Sequence, residues 1–172
     1  KEMGFSERDA PFFFAKPADA VLPVPFGTTG EFPYASETAN LHHEIELVVA
    51  IGKSGAQITA AGAAKYIYGY AVGLDMTRRD LQIALRDKGR PWDVAKGFDY
   101  AAPISPIKTI VATGEILDAQ IWLNVNGVRR QASTTAKLTW SVNEIIEHLS
   151  KFFELRPGDL IFWADNSRDP GS

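Results

Sequence analysis

The 172-residue sequence contains no cysteine, which excludes disulfide cross-links, zinc–thiolate sites and a cysteine nucleophile, and fits a reducing compartment. It has no excess of basic residues. Its 18 Lys and Arg stand against 21 Asp and Glu, a net charge of −3, and they are scattered along the chain. That pattern leaves no electrostatic footprint for nucleic acid or an anionic membrane, so a small molecule or another protein is the expected partner. Long apolar runs are missing too, since stretches such as Leu47 to Ile51 fall far short of the ~20 residues a membrane helix needs. The opening Lys1-Glu2-Met3-Gly4 carries no signal-peptide apolar stretch, and a soluble cytoplasmic protein is expected. There is no internal repeat, linker or low-complexity tract. What is present is 45% apolar residues with 11% aromatics, enough to bury the core of one ordinary domain.

Residues 1 to 40 hold Pro11, Pro17, Pro23, Pro25 and Pro33 with Gly27 and Gly30, which forbids long helices and predicts extended segments and turns, with Phe12 to Phe14 as an anchoring strand. From Glu44 to Gly52 the run of Val, Ile and Leu predicts a buried strand that stops at Gly52-Lys53-Ser54-Gly55. Thr59 is placed to cap a short helix through about Tyr66. Strand character returns from Tyr68 to Met76. Thr77 with Asp80 reads as a capping pair for a helix that runs to about Lys88, where Gly89 and Pro91 stop it. Asn126-Gly127 between Ile121–Val125 and Val128–Gln131 is a strong hairpin signal. Ser141 with Glu144 is a second capping box, and Val142, Ile145, Ile146 and Leu149 share one helical face. Strands with few interleaved helices predict a mixed, β-rich α+β fold.

Glu44 and Glu46 are two apart in a predicted strand, so they share a face with their backbones about 6.5 to 7 Å apart. If that face, continued by Val48 and Ala50, points inward, two like charges sit at the edge of an apolar core. Such a pair costs several kcal/mol, roughly, unless it is neutralised or binds a cation. The plainer reading of such a motif is a solvated edge strand. Asp75 ends the next predicted strand, just before a helix, where functional side chains project from a rigid element, although a helix cap would account for it equally well. Three oxygen ligands with no cysteine suit Mg²⁺, Mn²⁺ or Ca²⁺ better than Zn²⁺.

Leu41-His42-His43-Glu44-Ile45-Glu46-Leu47, the stretch from Gly69 to Gln82, Gly89-Arg90-Pro91-Trp92 and Ala95-Lys96-Gly97-Phe98-Asp99 together resemble the fumarylacetoacetate hydrolase family, and within it the fumarylpyruvate hydrolase and acylpyruvase branch. The likeness runs from about Glu2 to Phe162 with the motifs in order. It implies the family's C-terminal-type β-rich fold, a homodimer, and Mg²⁺ or Mn²⁺ held by Glu44, Glu46 and Asp75. It further implies cleavage of a carbon–carbon bond in a 2,4-dioxo acid to give pyruvate and a carboxylic acid, in aromatic-compound catabolism. A metal chelated by the 2-oxo acid would hold the enolate charge that develops as the bond breaks.

By the same resemblance Lys96 is the active-site lysine, Arg79 and Gln82 face the substrate carboxylate, and Lys16 contacts substrate or fixes its loop. Glu2 matches a glutamate that pairs with a water-activating histidine, which falls before Lys1. His42 and His43 are expected to support or pack rather than act as a base, and Trp92 and Phe98 to line the pocket or core. After Phe162 the family's T-G-T-P-x-G-V-G loop is replaced by a tail over residues 163–172 that reads as foreign sequence. A catalytic domain over 1–162, incomplete at both ends, is therefore expected. Two other readings accompany the hydrolase. One is oxaloacetate decarboxylation at the same metal–enolate site, and the other is a metal-binding fragment without turnover.

Overall fold

The computed structural model describes residues 10 to 163. Along them the strands and helices are β1 (Val21–Pro23), β2 (Leu41–His42), β3 (Ile45–Ile51), β4 (Ile67–Leu74), β5 (Thr77–Arg78), α1 (Arg79–Asp87), α2 (Asp93–Lys96), β6 (Ala102–Ile104), β7 (Lys108–Thr109), α3 (Ile110–Thr113), β8 (Gln120–Val125), β9 (Val128–Thr134), α4 (Val142–Ser150) and β10 (Leu160–Trp163). Short 3-10 helices cover Ala18–Ala20, Ala60–Tyr66 and Thr135–Lys137. This is the mixed, β-rich α+β class that the sequence predicts. The chain divides into two units.

The first unit takes residues 10 to 13, Leu47–Ala71 and 107 to 163. Its core joins Leu47, Val49 and Ile51 of β3 to Ile145 and Ile146 of α4, with Ile58, Ile67, Leu155 and Ile161. Each such side chain contributes about 1.5 to 3 kcal/mol on burial. β3 pairs antiparallel with β10, Leu160 opposite Ala50 and Trp163 opposite Leu47. Trp163, which the sequence reading assigns to the tail, thus ends a strand, and its indole donates to the carbonyl of Trp140 at 3.1 Å; residues 164–172 lie outside the described chain. The capping box of α4 is complete, with Ser141 Oγ accepting from the Glu144 amide and the Glu144 carboxylate accepting from the Ser141 amide. Asn126 and Gly127, at φ 52° and 78°, make the predicted hairpin turn between β8 and β9.

The second unit takes Phe14–Glu46 and Val72–Pro106. β1 pairs parallel with β6, Val21 opposite Ala102, and Gly73 of β4 stands opposite Ile104. β2 and β5 form a small antiparallel ladder, Leu41 opposite Arg78 and His42 opposite Thr77. Ala20, Met76, Phe98 and Ala101 form the buried centre of this unit.

Three local expectations are corrected. Phe12 to Phe14 forms no strand, because Pro11 and Pro17 bracket a segment that joins no ladder and is held instead by Phe13 packing into the first core. Thr59 does not cap with its side chain. The amide of Ala60 is satisfied by Glu147 of α4 at 2.6 Å, and the segment winds as 3-10 rather than α. Thr77 and Asp80 are no capping pair either. Thr77 is spent in the β2–β5 ladder, and Asp80 reaches back to accept from the Thr38 hydroxyl at 2.6 Å and the Ala39 amide at 2.9 Å.

Candidate metal and active site

The site is assembled within the second unit by main-chain pairing. Asp75 leaves the end of β4 and its amide donates to the Glu44 carbonyl at 2.8 Å. The next amide, Met76, donates to Ala101 at 3.0 Å, and the Arg79 amide to Asn40 at 2.9 Å. These bonds fix the segment before β3 beside the segment after β4. One carboxylate oxygen from each of Glu44, Glu46 and Asp75 then lies within 4.8 Å of the others. Glu46 is 8% exposed and Asp75 1%, so the solvated edge-strand reading of Glu44-x-Glu46 is excluded.

Three cations close around these oxygens. Lys96, at the end of α2 and 2% exposed, has its Nζ 2.5 Å from Asp75 Oδ2 and donates to Glu44 Oε2 at 3.1 Å. Lys16 Nζ stands 2.8 Å from Asp75 Oδ1. The Arg79 guanidinium donates through Nη2 to Glu44 Oε1, through Nη1 to Gln82 Oε1 at 2.7 Å, and through Nε to His42 Nδ1 at 3.3 Å. Burial pulls the Lys96 ammonium down, but Asp75 and then Glu44 outweigh it and hold the group above the ordinary lysine value. For Lys16 burial wins over Asp75, and its pKa is lowered. Glu46 is pushed well above the carboxylate range by burial first, then by Asp75 and Glu44.

Two features fit this pocket to a hard cation. Glu46 has no hydrogen bond or ion pair among the described residues, and the pull of Lys96 and Lys16 toward its ionised form falls short of burial, Asp75 and Glu44, so a further positive charge is what would ionise it. Asp75 Oδ1 is buried without a directed hydrogen bond; Lys16 meets it by distance alone, out of hydrogen-bond alignment. Three carboxylates and no thiol suit a hard divalent cation better than Zn²⁺.

Of the candidate site residues, Lys16, Glu44, Glu46, Asp75, Arg79, Gln82 and Lys96 converge here, and Glu2 lies outside the described residues. Gln82 is buried and engaged by Arg79. His42 accepts from Arg79 through Nδ1, so that nitrogen cannot take a proton from water. Phe98 belongs to the core, and Trp92 packs on Phe14 with ring centroids 6.0 Å apart. Two neighbours were not anticipated. Thr77, fully buried, places its hydroxyl 3.5 Å from Glu44 Oε1; lying two residues beyond Asp75, it could have been read from strand alternation. Phe14 sets its ring face 5.0 Å from Lys96 Nζ, a contact across 82 residues that leaves no trace in the sequence.

Residues 1–163 match the profile described as fumarylacetoacetate (FAA) hydrolase C-terminal. Fumarylpyruvate hydrolase of Ralstonia sp is 45% identical over 152 residues, covering 88% of this chain and 76% of the relative. The crystal structure of fumarylpyruvate hydrolase from Pseudomonas aeruginosa in complex with Mn²⁺ and pyruvate superposes with a TM-score of 0.90 at 56% identity, over 94% of this chain and 70% of that one. The mitochondrial oxaloacetate decarboxylase of Dictyostelium discoideum is 35% identical over 161 residues, 94% of this chain and 72% of the relative. With its acidic triad, its β-rich fold and a profile match over 163 residues, the chain belongs to the fumarylacetoacetate hydrolase family.

Proposed function

We propose that the protein is a metal-dependent hydrolase that cleaves the carbon–carbon bond of a 2,4-dioxo acid, fumarylpyruvate or an acylpyruvate, to pyruvate and a carboxylic acid. The observation that carries this reading is the convergence of Glu44, Glu46 and Asp75 around a common point beside Lys96. A divalent ion bound by the three carboxylates supplies positive charge opposite the enolate that forms on the pyruvate half. Lys96 adds a second positive charge at the same place. Its ammonium has three N–H groups, of which Asp75 and Glu44 take two, leaving one for the enolate oxygen. Water's oxygen goes to the 4-acyl carbon, the electrons of the broken bond go to C3, and a proton there completes the methyl group of pyruvate. Arg79, steadied by Gln82, His42 and Glu44, offers the remaining positive charge for a substrate carboxylate.

Charge count supports a diacid. Lys16, Lys96 and Arg79 formally balance the three carboxylates, so a divalent ion leaves the site with a net charge of about +2, the complement of a doubly ionised substrate such as fumarylpyruvate. A homodimer in the cytoplasm belongs to the same proposal; among the described residues no helix is long and apolar enough to cross a membrane. A second reading, oxaloacetate decarboxylation, is supported by the likeness to the Dictyostelium discoideum enzyme and needs the same enolate stabilisation without attack by water. Purified protein with Mn²⁺ or Mg²⁺ is to be given fumarylpyruvate, acetylpyruvate and oxaloacetate, with pyruvate followed over time. Pyruvate from the dioxo acids supports the hydrolase; pyruvate from oxaloacetate alone selects the second reading, and none from any of them refutes both.

A further inference from the structure

Two lysines face Asp75, Lys96 buried and Lys16 part-buried, and their surroundings differ in one respect that chemistry can use. The Lys96 ammonium meets two carboxylate oxygens and then the ring face of Phe14 at 5.0 Å, so one N–H remains for a ligand. Lys16, part-buried with its side chain 10% exposed, has its ammonium surrounded by protein oxygens. Its Nζ donates to the carbonyl of Met76 at 3.2 Å and to the carbonyl of Lys96, lies against Asp75 Oδ1 at 2.8 Å, and has the Phe98 ring at 5.8 Å. Two of its N–H groups are thus used by main-chain carbonyls, and the third oxygen beside the ammonium is also protein.

The identity of those neighbours is informative. The Met76 carbonyl belongs to the residue after Asp75, and the Lys96 carbonyl to the residue that carries the candidate enolate-binding ammonium. Lys16 therefore clips together the backbones bearing both groups and touches the Asp75 carboxylate as well. Gly97 lets this happen: a Cβ there would stand 3.0 Å from the Asp93 carbonyl and 3.2 Å from Pro17 Cδ, so a larger residue would push the segment carrying Lys16 away from the end of α2.

We infer that Lys16 is a positioning residue, which sets the orientation of the Asp75 carboxylate and its spacing from Lys96, and that it does not bind substrate. The inference rests on the metal-site reading above, and its test separates the two. Wild-type protein and Lys16→Met are compared at saturating Mn²⁺ by electron paramagnetic resonance of the bound ion, by thermal melting, and by steady-state pyruvate formation. The expected result is a folded variant with an altered Mn²⁺ line shape, kcat lower by about 100-fold from misplaced groups, and KM within about threefold of wild type. Lys16→Arg, which keeps the charge and the donors, should restore the line shape toward wild type and part of kcat. An unchanged spectrum with KM raised about tenfold or more makes Lys16 a substrate ligand and overturns the inference. So does a variant identical to wild type in all three measurements. If Lys16→Met does not fold, Lys16→Gln and Gly97→Ala are read in the same way, and wild-type spectra in both would again overturn it. Failure of the wild-type protein to bind Mn²⁺ would instead remove the metal-site reading itself.

Discussion

The amide of Asp75 donates to the carbonyl of Glu44 at 2.8 Å, so two of the three candidate metal ligands are held together by backbone rather than by their side chains. The ladder of His42 opposite Thr77 continues this clamp. Ligand spacing is consequently a property of the fold, and side-chain replacements in the triad should change chemistry without dismantling the unit.

Glu46→Gln tests that separation. Among the described residues Glu46 has no ion pair, and burial with two neighbouring carboxylates raises its pKa. The amide removes an anion that a cation would need, and Mn²⁺ affinity measured by calorimetry should fall about 100-fold or more, roughly 2.7 kcal/mol. Metal-free stability should move the other way. A raised folded pKa means that Glu46 favours the folded state at low pH and that this advantage disappears as pH rises from about 4.5 through the folded value. Without metal the variant should therefore gain on the wild-type melting temperature as pH increases. Unchanged Mn²⁺ affinity would remove Glu46 from the ligand set.

Asp80 predicts the opposite pH signature. Hydrogen bonds from Thr38, then from the Ala39 and Leu81 amides, hold its carboxylate below the ordinary aspartate value. A depressed pKa gives stability that is present above about pH 3.8 and lost as pH falls through the folded value. Asp80→Ala should cost about 1 kcal/mol at neutral pH, a figure held low because the carboxylate is solvent-screened. The gap between wild-type and variant denaturation midpoints should close as pH drops below 4.

Gly69 is required by a close approach rather than by its φ angle. It stands opposite Thr109 where β4 pairs with β7, and a Cβ at that position would lie 2.2 Å from the Lys108 carbonyl oxygen. Main chain cannot swing aside as a side chain can, so Gly69→Ala should destabilise by about 1 to 3 kcal/mol, read as a lower melting temperature with Mn²⁺ binding in the other unit retained.

What was legible in the sequence follows from locality. Glu44, Glu46 and Asp75 lie on or beside two strands whose Val, Ile and Leu content marks them, and the hairpin at Asn126-Gly127 and the box at Ser141 and Glu144 are complete within a few residues. Thr77 and Asp80 were misread because a short-range capping pattern competes with a ladder to His42 and with bonds to Thr38, 42 residues away. Thr59 was misread for the same reason, its capping duty having passed to Glu147, 87 residues from the amide it satisfies. The sequence leaves Lys16 between contacting substrate and fixing its loop, because its acceptors are main-chain carbonyls 60 and 80 residues distant, and a carbonyl carries no residue identity to read.

Lys96→Met gives the sharpest test of how charge is divided at the site. Its ammonium contacts Asp75 and Glu44, has the Phe14 ring at 5.0 Å, and keeps one N–H for a ligand. Removing a donor aimed at developing negative charge lowers kcat by about 10²- to 10³-fold. The same change takes a positive charge away from beside the cation pocket, so Mn²⁺ affinity should stay equal or rise. Metal-free protein should melt lower, because Asp75 and Glu44 lose a buried counter-ion, and Mn²⁺ should restore much of that loss by binding the folded state. Activity and Mn²⁺ affinity falling together would mean that Lys96 organises the ligands rather than stabilising an enolate. Lys96→Arg should not recover activity, since a planar guanidinium on a longer stem cannot reproduce the point-like ammonium that reaches Asp75 Oδ2 and Glu44 Oε2 together.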